Sequence, residues 1–197
     1  MRTPDFSACI ERNANRLANT VLCDKISLNS VARRAFPVWR FSERNAYSSI
    51  SLHDCRADSV TVNGNDLIFD FPDGFWITPA SAYIDHDQPV KTGPSQLCFH
   101  GVFEEAPFDA IDIYKTIRFF GKSVFCRRLQ PEYAAFLKIF ESGKYELEFI
   151  TEYHSSVSSL YQCWIWKKES GTDAECQFEI TSKSIEYRWN DIPHTRE

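Results

Sequence analysis

Glycine and recognisable catalytic motifs are both scarce in this 197-residue sequence, which has only seven glycines and one methionine. It contains no glycine-rich phosphate-binding loop, no nucleophile elbow, no zinc-protease helix and no pair of CxxC motifs. Its 43% apolar and 15% aromatic content is unlike that of disordered or collagen-like chains. We therefore expect a globular, non-enzymatic protein, and the residue pattern identifies no catalytic residue and no cofactor.

The N-terminal stretch lacks the apolar run of a signal peptide or membrane anchor, because charges interrupt it at Asp5, Glu11, Arg12 and Arg16. We therefore expect a cytoplasmic protein that does not bind a membrane. The seven cysteines are an odd number scattered through apolar segments. This usage favours reduced thiols buried in the core over a disulfide framework.

The net charge of −5 conceals one segment that is far more acidic than the whole. Residues 57–112 hold ten acidic side chains and one basic side chain, a net charge of −9. Such a segment can present a negative face to a basic partner, although charged runs also serve simply as solvated surface. The acidic balance makes a protein a better candidate partner than nucleic acid.

Hydrophobic periodicity predicts an α+β fold dominated by antiparallel β-sheet arranged as a meander. One helix is predicted over about 5–24 and a second over about 131–142, where Pro131 begins the first turn and Gly143 follows the last. Strands are predicted at 48–52, 59–63, 66–71, 75–78, 95–103, 112–120, 123–129, 145–153, 159–167, 176–181 and 184–189, with a loop at 79–94. We expect a single domain over 1–197, with a subdivision near 110–144 as the alternative.

Histidine and cysteine occur in two pairs that suggest a metal site. His53 and Cys55 are two residues apart, as are Cys98 and His100, so the members of each pair share a strand face. If the strands pair, the four side chains form a tetrahedral zinc site; the alternative is a buried histidine satisfied by hydrogen bonds. A second hypothesis makes Cys55 or Cys98 a nucleophile beside a histidine base.

The tryptophans are candidates for either core or interface. Trp164 and Trp166 share one face of a strand, and because their strand neighbours Cys163 and Ile165 are also apolar, we expect that face to be buried. On an outer face, the pair would form an aromatic patch suited to protein binding. Trp76 lies beside acidic turns and is the better interface anchor. The expected partner-binding residues are Trp76, Asp73, Asp85, Asp87, Glu104 and Glu105.

Four arginines alternate with aromatic residues near the N-terminus, at Arg33, Arg34, Arg40 and Arg44. Pro37 prevents a continuous helix there, so we expect an irregular connection with anchored aromatic rings and solvated guanidinium groups. The alternative is a nucleic-acid-binding protein, or an enzyme acting on nucleic acid, that uses these arginines together with the later basic segment.

Three segments carry a resemblance to a known group: ISLHDCRADSVTVNGNDLIFDFPDGFWI, SQLCFHGVFEEA and FEITSKSIEYRWNDI. Residues 48–104 and, more loosely, 145–190 resemble small bacterial immunity proteins of contact-dependent and polymorphic toxin systems, in which a His-Asp turn opens a β-meander. The residues that carry the resemblance are His53, Asp54, Leu67, Phe69, Gly74, Phe99 and Gly101. The resemblance implies a cytosolic binder in which His-Asp is structural.

The leading hypothesis is therefore an immunity-like inhibitor that occludes a toxin or nuclease through an acidic and aromatic surface. Carboxylates would meet a basic cleft and speed the encounter, while buried aromatic rings would hold the complex. The alternative within the same class is a phage or mobile-element protein that blocks a host defence nuclease, in the manner of anti-CRISPR proteins, by mimicking nucleic-acid phosphates.

Overall fold

The computed structural model describes residues 38–85, 87–103, 105–119 and 122–192, and these residues contain fourteen strands and one helix. The strands are β1 Phe41–Arg44, β2 Ile50–Ser51, β3 Cys55–Ala57, β4 Ser59–Asn63, β5 Asp66–Phe71, β6 Trp76–Ile77, β7 Val90–Lys91, β8 Ser95–His100, β9 Ala110–Phe119, β10 Lys122–Leu129, β11 Tyr145–His154, β12 Ser158–Lys167, β13 Gly171–Thr181 and β14 Ser184–Trp189. The helix, α1, is Tyr133–Glu141. All of them belong to one compact unit that begins at Val38.

The strands form three sheets in which every described pair is antiparallel. The five-stranded sheet has the order β1-β14-β8-β5-β4, the six-stranded sheet has the order β10-β9-β13-β12-β11-β3, and β2-β6-β7 is a small third sheet. Only Asp58 separates β3 from β4, so the chain passes directly from an edge of the six-stranded sheet to an edge of the five-stranded sheet. The two large sheets are therefore joined along one side.

Aromatic rings from the two large sheets meet in a shared core. Phe69 of β5 stacks on Phe178 of β13 with ring centroids 5.8 Å apart, and it meets Phe149 of β11 edge-on at 5.7 Å. Phe99 of β8 meets Tyr161 of β12 at 5.7 Å. Because these residues alternate with polar ones along their strands, each sheet buries one face and leaves the other to solvent. The two sheets pack as a β-sandwich.

The α+β prediction is wrong, because the described fold is nearly all β. The second predicted helix is confirmed as α1, but it has only nine residues and buries only Phe136 and Phe140. Phe136 packs against Phe108 and Phe178, so the helix covers part of a β core and does not form a layer of its own. The helix predicted over 5–24 lies outside the described residues. The predominance of antiparallel sheet is confirmed.

The segment considered as a subdivision, residues 110–144, contains β9, β10 and α1. β9 pairs with β13 from Ala110 to Tyr114 and with β10 from Ile113 to Phe119. The end of the β9–β10 hairpin therefore extends past the region of β9 that pairs with β13. The single helix in the described part of the chain, α1, is too short to cross a membrane.

Candidate functional site

The two tryptophans of β12 lie on the outer face of the six-stranded sheet, so the prediction that they are buried is wrong. Tyr161, Cys163 and Ile165 alternate with them and are the residues that face the core. Trp164 is 39% exposed, and its ring lies 6.5 Å from that of Trp166 in a stacked arrangement. These apolar neighbours fill the core, so the tryptophans point to the outer face, where Trp164 is exposed and Trp166 is half-buried.

An ion pair fixes the position of Trp166. The Arg56 guanidinium carbon lies 4.2 Å from the centre of the Trp166 ring, a cation–π contact. Arg56 Nε donates to Glu148 Oε1 at 3.0 Å, and the indole N–H of Trp166 donates to the other oxygen of the same carboxylate. Strand register then places Glu175 directly beside Trp164. We call this set the tryptophan face: Arg56, Glu148, Trp164, Trp166 and Glu175.

A bidentate ion pair lies further along the same sheet. Arg128 of β10 donates from Nε and Nη2 to the two carboxylate oxygens of Asp112 on β9, each at 2.7 Å. The hydrogen bonds from Arg128 hold the pKa of Asp112 below its usual value. The pair ties the β9–β10 hairpin to the part of β9 that belongs to the main sheet.

We expect the Asp112–Arg128 pair to stabilise the fold only where Asp112 is ionised. Because the folded-state pKa of Asp112 is lowered, its contribution is complete above the unfolded pKa, about 3.9, and is lost as the pH falls through the folded value. Urea unfolding of wild type and of Asp112→Asn between pH 7 and pH 2 tests this. The stability difference should be constant near neutral pH and shrink below about pH 4; a difference that is the same at both ends would contradict the assignment.

The residues predicted to bind a partner lie on several elements of the fold. Trp76 is half-buried on β6, and the Lys91 ammonium lies 5.5 Å from its ring centre. Asp85 and Asp87 are exposed on the loop between β6 and β7, and Tyr83 anchors this loop by packing edge-on against Trp189. Glu104 lies outside the described residues.

Asp73 and Glu105, both exposed, lie beyond opposite ends of the β5–β8 pair. Asp73 comes just after Phe71, the last residue of β5. Glu105 lies in the turn after β8, and this turn is next to the β4–β5 turn, because Val102 donates its N–H to the Asn65 carbonyl. At about 3.4 Å per residue, six-residue strands separate these ends by about 17 Å. The structure therefore separates Glu105 from Asp73 by about the length of these strands.

The four residues predicted as a zinc site do not converge. His53 Nδ1 contacts the Ile150 carbonyl at 2.7 Å, and Cys55 lies on β3 of the six-stranded sheet. Cys98 and His100 lie on β8 of the five-stranded sheet. Cys98 and His100 lie on one strand face as predicted, with Sγ and Nδ1 3.7 Å apart. His53 and Cys55 do not, because His53 precedes β3 and is exposed whereas Cys55 is buried.

The hypothesis of a nucleophilic cysteine does not fit either of the two residues it named, Cys55 and Cys98. Burial raises the pKa of Cys55 and of Cys98 to about 12, although Lys91 acts in the opposite sense on the first and Arg188 on the second. Both are therefore neutral thiols near pH 7. Free thiols are buried at Cys55, Cys98, Cys163 and Cys176 and exposed at Cys126.

Only part of the arginine cluster can be placed. Arg40 and Arg44 are both exposed. Arg40 directly precedes β1, the edge strand of the five-stranded sheet, and Arg44 is the last residue of that strand. The Arg40 guanidinium lies 5.1 Å from the Phe41 ring, and Phe41 packs against Trp189. Arg33 and Arg34 lie outside the described residues.

A hydrogen-bonded Ser–His–Glu cluster that was not predicted from the sequence lies at the turn end of the β11–β12 hairpin. His154 Nδ1 lies 2.8 Å from Ser159 Oγ, and His154 Nε2 lies 3.1 Å from Glu152 Oε2. The Tyr47 ring stacks on His154 with centroids 4.0 Å apart, and Ser159 is only 4% exposed. A buried serine is poorly placed to attack a substrate. The hydrogen bonds of this cluster therefore stabilise the hairpin. The alternation Glu-x-His before a tight hairpin was the available sequence signal.

Comparisons with protein-family models, curated proteins and solved structures find no match for this chain.

Proposed function

We propose that this chain is a non-enzymatic inhibitor that acts in the cytoplasm and binds a basic protein, a toxin or nuclease, through the tryptophan face. The observation that carries the proposal is the solvent-facing pair Trp164 and Trp166, whose geometry is set by Arg56 and Glu148. Tryptophan and arginine are the residue types most enriched among the energetically dominant residues of protein interfaces. Inhibition by occlusion is the activity implied by the resemblance to immunity proteins.

A rigid surface favours tight binding, because less side-chain freedom is lost when the complex forms. Trp166 is already held by a cation–π contact and by a hydrogen bond to Glu148. Trp164 stacks beside it and remains accessible. The tryptophan face thus offers a large apolar contact that needs little reorganisation.

The charge of the tryptophan face supports a basic partner. It combines one arginine with two glutamates and is therefore net negative, and Glu175 is exposed beside Trp164. The exposed Asp85 and Asp87 add negative charge elsewhere on the molecule. Opposite charge raises the rate of association, most strongly at low salt. The proposal therefore includes an association rate that falls as salt is added.

The test is affinity capture from the lysate of the source organism with four forms of the chain: wild type, Trp164→Ser, Phe103→Ser and Asp85→Asn/Asp87→Asn. Phe103 is 68% exposed on another part of the surface and is the matched aromatic control. We expect a partner that is retained by wild type and by Phe103→Ser but bound about 30-fold more weakly by Trp164→Ser, a loss of about 2 kcal/mol. Circular dichroism checks that each variant is folded.

The remaining outcomes are also informative. The double aspartate variant should bind the same partner with a slower association rate at low salt, measured by surface plasmon resonance. A partner bound equally well by wild type and Trp164→Ser would contradict the tryptophan face as the interface. Recovery of nucleic acid without a protein partner would favour the arginine hypothesis instead.

A further inference from the structure

Three metal-ligating side chains meet on the outer face of the five-stranded sheet. A carboxylate oxygen of Asp66, the Cys98 sulfur and a ring nitrogen of His100 all lie within 4.8 Å of one another. His100 Nδ1 is 3.0 Å from Asp66 Oδ1 and 3.7 Å from Cys98 Sγ. Asp66 and His100 are cross-strand partners on β5 and β8, and Cys98 shares the same face two residues earlier. Backbone register alone thus brings the three together.

These separations suit a tetrahedral ion. Zinc bonds of about 2.3 Å to sulfur and about 2.0–2.2 Å to nitrogen or oxygen place neighbouring ligand atoms about 3.3–3.6 Å apart. The contacts of His100 Nδ1 with Cys98 Sγ, 3.7 Å, and with Asp66 Oδ1, 3.0 Å, lie on either side of this range, and the Asp66 oxygen lies within 4.8 Å of the sulfur. Small side-chain rotations would therefore bring all three ligand atoms to bonding distance from one ion without movement of the strands.

A second carboxylate already orients the histidine as a ligand. His100 Nε2 lies 2.8 Å from Glu186 Oε2 on β14, and Arg188 Nε donates to the same oxygen at 2.9 Å. When the ring proton is on Nε2, Nε2 donates a hydrogen bond to Glu186. Nδ1 is then unprotonated, and its lone pair points towards Asp66 and Cys98. Carboxylate–histidine–metal arrangements of this kind are common around zinc.

We propose that Asp66, Cys98 and His100 bind one zinc ion, with Glu186 as the positioning residue for His100. The combination of thiolate, imidazole and carboxylate favours zinc over magnesium or calcium, which prefer oxygen ligands. The side chain of Asp66 is 37% exposed, so the site is reached from solvent on that side, where water takes the fourth position. Binding displaces the Cys98 proton and ties β5 to β8 and, through Glu186, to β14.

The test uses the full-length chain, stripped with a chelator and titrated with cobalt(II) as a spectroscopic probe. We expect visible bands of a tetrahedral ion and a thiolate-to-cobalt charge-transfer band, both saturating at one equivalent and both removed by zinc. Cys98→Ser should abolish the charge-transfer band, whereas Cys126→Ser, which changes an exposed cysteine, should retain it. Glu186→Gln should weaken cobalt binding about 10–100-fold.

Two further variants keep the test decisive if Cys98→Ser fails to fold. Asp66→Asn changes a partly exposed ligand and should weaken cobalt binding at least as much as Glu186→Gln, whereas His53→Gln, which changes an exposed histidine, should not. Zinc should also raise the thermal midpoint of wild type but not of Asp66→Asn. Absence of the charge-transfer band in wild type, or its persistence in Cys98→Ser, would overturn the proposal.

Discussion

Phe178→Ala is expected to lower the free energy of unfolding by about 3–5 kcal/mol. Phe178 is 1% exposed, and its ring lies within 6 Å of Phe69 on the opposite sheet and of Phe149 and Tyr161 on its own sheet. It also contacts Phe136 of α1. One ring therefore links both large sheets and the helix, and its removal leaves a cavity between elements that cannot easily collapse.

Urea unfolding followed by circular dichroism measures this effect. Tyr153→Ala is the control, since Tyr153 is also an aromatic strand residue but is 56% exposed, and its loss should change stability by less than about 1 kcal/mol. Equal effects of the two substitutions would contradict the described core. Retention of the same m-value in Phe178→Ala would show that the variant exposes the same surface on unfolding as the wild type.

Gly74→Ala is expected to destabilise the fold by about 2–5 kcal/mol, as the combined effect of backbone strain and steric overlap. Gly74 has a φ of +74°, and a β-carbon added there would lie 2.3 Å from the Thr92 carbonyl oxygen and 2.4 Å from the Gly93 carbonyl oxygen. Both are backbone atoms, so relief requires the chain before β8 to move. Thr92 Oγ1 also accepts from the Phe75 N–H, and this buried contact would be disturbed as well.

Gly64→Ala separates the two causes. Gly64 has a φ of +58°, but a β-carbon there would meet nothing within 4 Å, so only the strain of about 1–2 kcal/mol is expected. Thermal or urea unfolding of the two variants in parallel gives the comparison. If Gly74→Ala were no more destabilising than Gly64→Ala, the close approach of the Gly74 turn to residues 92–93 would be refuted.

Strands with a clear local pattern were predicted to the residue. β4, β5 and β14 have the predicted bounds, Ser59–Asn63, Asp66–Phe71 and Ser184–Trp189. Strict alternation sets the face of each strand, and Gly64, with its positive φ, marks the turn between the first two. In these places local sequence and tertiary structure agree.

Three short strands, β1, β3 and β7, were missed because distant pairing creates them. β1 was predicted as part of an irregular connection, yet Phe41–Arg44 pairs with β14 nearly 150 residues later. β3 has three residues and exists as a strand through its pairing with β11. In such short segments few positions are available to show a period of two.

The candidate sites show the same division between local and distant information. The sequence correctly placed Trp164 and Trp166 on one face, but whether that face is buried depends on which side the five-stranded sheet covers. Likewise, Cys98 and His100 were paired from spacing, whereas Asp66 and Glu186 join them through the registers of β5, β8 and β14. Cross-strand register is not a local property of the sequence.

The most direct test of the tryptophan face is photo-crosslinking in cells of the source organism, with benzoylphenylalanine in place of Trp164 or, as the control, of Phe103. Both positions are solvent-exposed aromatic residues, so the probe should be tolerated at each. We expect one dominant protein adduct at position 164 and none at position 103. An adduct at position 103 without one at position 164, or the same adduct at both in equal yield, would contradict the tryptophan face as the binding surface.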